Sequence, residues 1–147
     1  MASVDLNADV GEVVRADGDA AVLARLAPEV LDASVDPDWL AGFLADPGHI
    51  MIVARVDELV VAQLAAIIHH HPDRPPDLYI DDLAVTPALR RQGIAQRLLE
   101  DAMVLGAQRG CAQVWIVTET DNAPARALYE GRNAEPASVV MYEYDLR

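Results

Sequence analysis

Cysteine is almost absent from the sequence, because Cys111 is the only one in 147 residues. A single thiol excludes an internal disulfide, and a reducing cytoplasm is the simplest compartment. No apolar run approaches the roughly 20 residues that a membrane-spanning helix requires. The first residues include acidic side chains and lack an apolar core, so we expect a loose leader at residues 1–10 and no signal peptide.

Basic residues are also scarce: 11 of them stand against 24 acidic residues, for a formal net charge of -13. This balance argues against nucleic acid as the main partner, since phosphate binding needs basic surfaces. A cleft of one sign concentrates ligands of the opposite sign, which favours a cationic substrate. The charge can equally serve solubility alone, and on charge alone both interpretations stay open.

Repeats, low-complexity segments and long linkers are absent, so a single domain over residues 1–147 is expected. A content of 52% apolar and 24% charged residues is typical of a folded globular chain. Periodicity, caps and turn residues predict a mixed α/β domain with a central strand–helix–strand unit. The predicted strands are 12–16, 49–56, 59–68, 78–86, 112–119 and 138–146. The predicted helices are 19–33 (divided at Pro28), 93–109, 122–131 and a short helix within "DPDWLAGFLADPG" (36–48), between its Asp-Pro start and its Pro-Gly stop.

The stretch "RRQGIA" (90–95) stands between a strand and a helix. The first amides of a helix lack internal partners and carry partial positive charge, so an anion is stabilised there. Gly93 allows the backbone to approach a phosphate closely, and Ala95 is small. Arg90 and Arg91 can add charge-assisted hydrogen bonds. The glycine patterns of dinucleotide folds and P-loops are missing, so the stretch predicts a pyrophosphate cradle of another kind.

"RRQGIA" fits the (Q/R)-x-x-G-x-(G/A) signature of the GNAT superfamily of N-acetyltransferases. The order of "YIDDLAV", the following helix, "VWIVTE" and "NAPARALY" resembles that superfamily over about residues 44–145. The segments "FLADPGHIMIVA", "LYIDDLAV" and "PARALYE" resemble type I aminoglycoside 3-N-acetyltransferases, although Asp81 stands where that group has Tyr and Asn122 replaces an Asp. The resemblance implies a GNAT fold, a mixed central β-sheet with a splayed strand pair, flanked by helices.

Acetyl-CoA is the cofactor that the resemblance implies. Its pyrophosphate would lie on the amides from Gln92 to Gln96, and its pantetheine arm would add along the edge of "DLAV". The implied cofactor contacts are Leu83, Ala84, Val85, Arg90, Arg91, Gln92, Gly93, Ile94, Ala95, Gln96, Asn122, Ala125 and Tyr129.

Three groups are implied for catalysis. Tyr129 would protonate the departing thiolate, the Leu83 amide would stabilise the oxyanion, and Asp82 is the first choice for the base that deprotonates the amine. Asp81 and Glu119 would join Asp82 in binding a cationic substrate. Because residues alternate across a regular strand, Asp81 and Asp82 can both lie near the amine only if a bulge intervenes.

The histidines His69, His70 and His71 and nearby Asp73 suggest a metal. Consecutive histidines in a strand alternate faces and no second ligand cluster follows, so no metal site is predicted. The loop is expected to overhang the acceptor pocket, where one histidine would act as base or contact. Cys111 is expected to be a buried structural thiol.

The predicted function is an acetyl-CoA-dependent N-acetyltransferase for a primary amine of a cationic small molecule, foremost the 3-amino group of an aminoglycoside. The alternatives are another amine (a peptide N-terminus, a polyamine or an amino sugar) or a non-catalytic acyl-CoA-binding sensor. A homodimer using strand 138–146 is a further expectation, with no nucleic acid and no membrane as partners.

Overall fold

A computed structural model describes residues 20–147 and the backbone of residues 10–14. The chain divides into two compact units, with the boundary between Val117 and Thr118. The single domain over residues 1–147 stays a prediction, and the leader lies outside the described residues except for Val10, which begins the first strand. None of the helices in the described ranges has the length and apolar character needed to cross a bilayer.

The first unit is built on a five-stranded sheet in which spatial order follows chain order. Neighbouring strands are antiparallel except the last pair, which is parallel. The mixed α/β class is therefore confirmed. The strands are β1 (Val10–Val14), β2 (His49–Val56), β3 (Leu59–His69), β4 (Asp77–Val85) and β5 (Gln113–Ile116).

The core lies mainly in β2, β3 and β4, whose runs of Val, Ile, Leu and Ala suit a sheet that is covered on both faces. Burial of each large aliphatic side chain contributes about 1.5–3 kcal/mol. The largest fully buried aliphatic side chains are Val30, Ile50, Ile52, Val53, Val60, Leu64, Leu78, Ile80 and Leu98.

Two helices flank the sheet, α1 (Pro37–Ala45) and α2 (Ile94–Gln108). At the start of α1 the Asp36 carboxylate accepts hydrogen bonds from two first-turn amides, at 2.9 and 3.0 Å. One side of α2 packs on the sheet so closely that a Cβ added at Gly106 would lie 3.3 Å from Leu78 Cδ2. The buried residues of α2 are Ile94, Leu98, Leu99, Ala102, Leu105 and Gly106.

The helix predicted over residues 19–33 is wrong in its described part. Only Ala20–Ala24 forms a 3₁₀ turn, and the next residues bond to β3. The Ala27 amide donates to the Val60 carbonyl at 2.8 Å, and the Val60 amide donates to the Arg25 carbonyl at 2.9 Å. Backbone groups engaged with a strand cannot complete a helix, and Pro28 supplies no amide hydrogen.

The second unit, Thr118–Arg147, contains one helix, α3 (Ala123–Glu130). The strand predicted over residues 138–146 is wrong, since residues 134–147 have no regular structure and are exposed. Alternating residues favour a strand only where another strand offers backbone partners. This unit has no strand of its own.

Candidate functional site

A β-bulge divides β4 at Asp81. Asp82 lies opposite Ala65 of β3 and Ile80 lies opposite Ala66, so Asp81 is an extra residue without a cross-strand partner. Bulges of this kind reorient side chains and are common beside active sites.

The bulge brings both acidic side chains to one face of the sheet. Tyr79 is paired with Ile67 and Asp82 with Ala65, two residues apart on β3, so Tyr79 and Asp82 share a face. Asp81 lines a cleft with Tyr79 on this same face. The sequence analysis required a bulge if Asp81 and Asp82 were both to lie near one amine, and β4 has this bulge.

Beyond the bulge, β4 separates from β5. Their paired residues end at Ile80 and Ile116, whereas β4 continues to Val85. The Thr86 amide donates to the Val61 carbonyl of β3 at 2.8 Å. Because amides alternate along a strand, those of Leu83 and Val85 point to the opposite edge, where β5 has ended. This is the predicted splayed strand pair.

The chain after β4 turns sharply into α2. Arg91 and Gly93 have positive φ angles of 63° and 81°, and within the described residues no side chain caps the helix start. A Cβ added at Gly93 would meet no described atom within 4 Å, so its left-handed backbone is the stronger requirement for glycine. The Arg90 guanidinium donates to the Val85 carbonyl at 3.1 Å and lies 3.8 Å from the Glu29 carboxylate.

Asp82 is joined to a fully buried glutamine. Gln63 Nε2 donates to Asp82 Oδ2 at 2.7 Å and to the Val30 carbonyl at 3.2 Å. Burial raises the pKa of Asp82 above the ordinary aspartate value, while the hydrogen bonds from Gln63 and from the Leu83 amide oppose the rise. A carboxylate whose pKa is raised is a stronger base than an ordinary aspartate, which suits it to accept a proton from an amine.

A cleft of ≈ 200 Å³ lies on the same face, between α1 and β4. Tyr79 stacks on Trp115 with ring centroids 4.3 Å apart. The cleft thus combines aromatic and aliphatic walls with a carboxylate, which suits an amine on an organic skeleton. It is lined by Phe43, His49, Ala65, Ala66, Ile67, Tyr79 and Asp81.

The remaining predicted site residues belong to the second unit. Asn122 caps α3, because its Oδ1 accepts from the Ala125 amide at 3.2 Å, and Tyr129 is half-buried on that helix. The expectation that Glu119 ends a strand is wrong. Strand β5 stops at Ile116, and the Glu119 carbonyl instead accepts from the Asn122 amide in the turn before α3, at 3.1 Å.

The structure therefore brings together the predicted residues of the first unit, from Asp81 to Val85 on β4 and from Arg90 to Gln96 at α2. Sequence reasoning missed Gln63, although a polar residue inside "LVVAQLAAII" was a readable signal. Cys111 is half-buried, not fully buried as expected, and burial raises the pKa of its thiol. Its structural role stays a prediction.

Comparisons with known proteins agree with this geometry. The model of the acetyltransferase (GNAT) family matches residues 21–133. Mycothiol acetyltransferase of Corynebacterium urealyticum is 37% identical over 105 residues, 69% of this chain and 30% of that protein. The chain thus spans less than a third of that relative's length.

Two solved structures share the fold. An aminoglycoside acetyltransferase from an uncultured soil metagenomic sample, solved with trehalose, has a TM-score of 0.74 at 24% identity, with 81% of this chain and 80% of the other covered. The enzyme AAC(6')-Iy, solved with the bisubstrate analogue CoA-S-monomethyl-acetylneamine, has a TM-score of 0.68 at 19% identity, with 80% and 84% covered.

The fold and its family match define an acetyltransferase-type domain. The chain belongs to the acetyltransferase (GNAT) family. The superfamily, its fold and acetyl-CoA as its cofactor are confirmed. The narrower resemblance to 3-N enzymes is not confirmed, since AAC(6')-Iy carries a different position in its name.

Proposed function

We propose that this protein transfers acetyl from acetyl-CoA to a primary amine of a cationic small molecule, with an aminoglycoside as the first candidate. The observation that carries the proposal is the course of β4, which bulges at Asp81, separates from β5 and leads into the helix start at Gly93.

The cofactor binds along this course. The amides from Gln92 to Gln96 hold the pyrophosphate, aided by the helix dipole and by Arg91, which is exposed beside them. The Val85 amide, turned away from β3, hydrogen bonds the pantetheine arm as a neighbouring strand would. The Leu83 amide joins it by leaving the Asp82 carboxylate, to which it now donates. Arg90 reaches a phosphate by leaving the Val85 carbonyl, to which it now donates.

The acceptor amine binds in the cleft beside β4. Asp81 holds its ammonium group, and Asp82, whose pKa is raised by burial, takes the proton that must leave before the nitrogen can attack. The new C–N bond forms as the C–S bond of the thioester breaks. Tyr129 supplies a proton to the departing thiolate, with Asn122 and Ala125 on the same helix as further cofactor contacts.

Thiol release tests the proposal directly. Purified protein, acetyl-CoA and a panel of aminoglycosides, polyamines, amino sugars and peptide N-termini are assayed for amine-dependent release of free CoA. The sequence contains no lysine, so acetylation of its own lysine side chains cannot mimic turnover. A Cys111→Ser variant removes the protein's own thiol from the readout. No turnover with any amine would end the proposal.

Product analysis separates the acceptor positions. The sequence segments that resemble type I aminoglycoside 3-N-acetyltransferases favour the 3-amino group. The structural similarity to AAC(6')-Iy makes the 6′ position the second candidate. Mass spectrometry and NMR of an acetylated aminoglycoside assign the modified nitrogen. Turnover only with another amine would keep the chemistry and replace the acceptor.

The Tyr129→Phe variant distinguishes an enzyme from an acyl-CoA sensor. We expect unchanged acetyl-CoA affinity by calorimetry and turnover lower by about 10²–10⁴-fold, the usual worth of a general acid. Binding of acetyl-CoA without turnover in the parent protein would favour the sensor.

A further inference from the structure

Three side chains outside the proposed transfer site converge where β3 and β4 meet their connecting loop. His69 ends β3, Asp77 begins β4 directly opposite it, and His71 lies in the loop between them. One potential ligand atom from each residue lies within 4.8 Å of the other two. Among residues 20–147, whose side chains the structure describes, this is the group of three that the distances single out.

The spacing of the histidines explains the convergence. Side chains two residues apart in an extended chain share a side, and His70 is not part of the group. The rings of His69 and His71 have centroids 4.4 Å apart and planes inclined by 45°. Alternation was the reason to predict no metal, yet it removes only the middle histidine of the three.

The inner part of the cluster is already organised. His71 Nε2 and Asp77 Oδ2 are 3.0 Å apart, and their side chains are only 8% and 13% exposed. His69 is exposed, so an ion can enter from solvent beside it. In a tetrahedral site with metal–ligand bonds near 2.0–2.1 Å, two ligand atoms lie about 3.3 Å apart. The observed 3.0 Å between His71 Nε2 and Asp77 Oδ2 is close to this distance, so the two side chains need little movement to share an ion.

We infer that His69, His71 and Asp77 bind a divalent transition-metal ion of the Zn²⁺ type. Two imidazole nitrogens and one carboxylate oxygen form a ligand set for zinc, cobalt or nickel, whereas calcium and magnesium select oxygen. Three protein ligands leave a fourth position for water. Because β4 extends about 26 Å from Asp77 to Val85, the ion lies far from the helix start at Gly93 and braces the β3–β4 loop.

The test is metal titration of protein that lacks a histidine tag and has been treated with chelator. Calorimetry with Zn²⁺ and visible absorption with Co²⁺, which is intense in tetrahedral sites, should both report one ion per chain. Excess Mg²⁺ or Ca²⁺ should not displace it. The readout is independent of acetyl transfer, so the proposed function and this site can fail separately.

Matched variants locate the site. His69→Gln and Asp77→Asn should each weaken Zn²⁺ binding by at least about tenfold. Losing a residue that only supports a metal ligand already costs about this much affinity, so losing a ligand itself should cost no less. His70→Gln, one residue from two proposed ligands, should leave the affinity unchanged. His69 is exposed, so its variant should remain folded, which circular dichroism checks.

Two results would overturn the inference. One is the absence of saturable Zn²⁺ binding at millimolar concentration in the parent protein. The other is equal loss of affinity in His70→Gln and His69→Gln, which would indicate nonspecific binding to exposed histidines.

Discussion

The two halves of β4 are built from one continuous strand and have opposite surroundings. From Asp77 to Ile80 the strand is paired on both edges, with β3 and with β5. From Asp82 to Val85 only the pairing with β3 remains, and we call this segment the released half. Asp81, the bulge residue, marks the division. A paired backbone stabilises the sheet, and a backbone released at one edge can bind a ligand by the same hydrogen bonds.

The largest expected effect concerns the first carboxylate of the released half. Asp82→Asn should lower turnover by about 10²–10⁴-fold, because it removes the proposed base. Its acetyl-CoA affinity should be near that of the parent, which calorimetry measures. Turnover within a few-fold of the parent would exclude Asp82 as the base.

The same variant has a second readout in stability. A carboxyl group whose pKa is raised on folding is stabilising while protonated, and that contribution is lost as pH rises through its folded pKa. Asp82→Asn removes this pH dependence of the unfolding free energy. Its unfolding free energy, relative to the parent, should therefore increase as pH rises across the aspartate range.

The next effect concerns the helix that follows the released half. Gly93→Ala should weaken acetyl-CoA binding by about tenfold or more, equivalent to 1.4 kcal/mol, because a Cβ and a strained φ disturb the anion-binding amides. Gly110→Ala is the matched control. Gly110 has a φ of 79°, against 81° for Gly93, at the other end of α2, and neither added Cβ meets a described atom within 4 Å.

Both glycine variants should lose about 1 kcal/mol of unfolding free energy, since left-handed backbone disfavours alanine. Only Gly93→Ala should lose affinity. Equal cofactor binding by the two variants would show that the start of α2 does not hold the pyrophosphate.

Features that depend on neighbouring residues could be predicted from the sequence, whereas features that depend on residues far apart in the sequence could not. The β4–α2 unit was predictable, because a buried strand, a glycine and a helical apolar stripe are local signals. The failure at residues 19–33 came from Val60, more than thirty residues away, whose backbone takes the partners that a helix needs. The failed strand at 138–146 likewise lacked a partner, which alternation alone does not reveal.

The candidate site shows the same limit. The residues of "RRQGIA" were predictable because they act together and follow one another in the sequence. The bulge at Asp81 depends on the register with β3, and register is a property of two strands. Gln63 was missed for a related reason, because its role depends on meeting Asp82 across the sheet.

A smaller effect is expected at the bulge itself. Asp81→Asn should raise KM for a cationic amine by about two- to fivefold, the worth of an exposed ion pair, with kcat little changed. The increase should shrink at high salt, which screens the parent's advantage. Glu58→Gln, an equal charge change in the β2–β3 turn, should leave KM unaltered, and an equal rise there would assign the effect to net charge.

The smallest effect tests whether Gln63 tunes the released half from within the core. Its hydrogen bond lowers the pKa of Asp82 against the rise caused by burial, so Gln63→Met should raise that pKa further. The acid limb of the pH profile should then move to higher pH, with turnover on the high-pH plateau largely retained. Gln113→Met, the same replacement at an exposed position on β5, should leave the limb in place. A limb that does not move with Gln63→Met would mean that a group other than Asp82 accepts the proton.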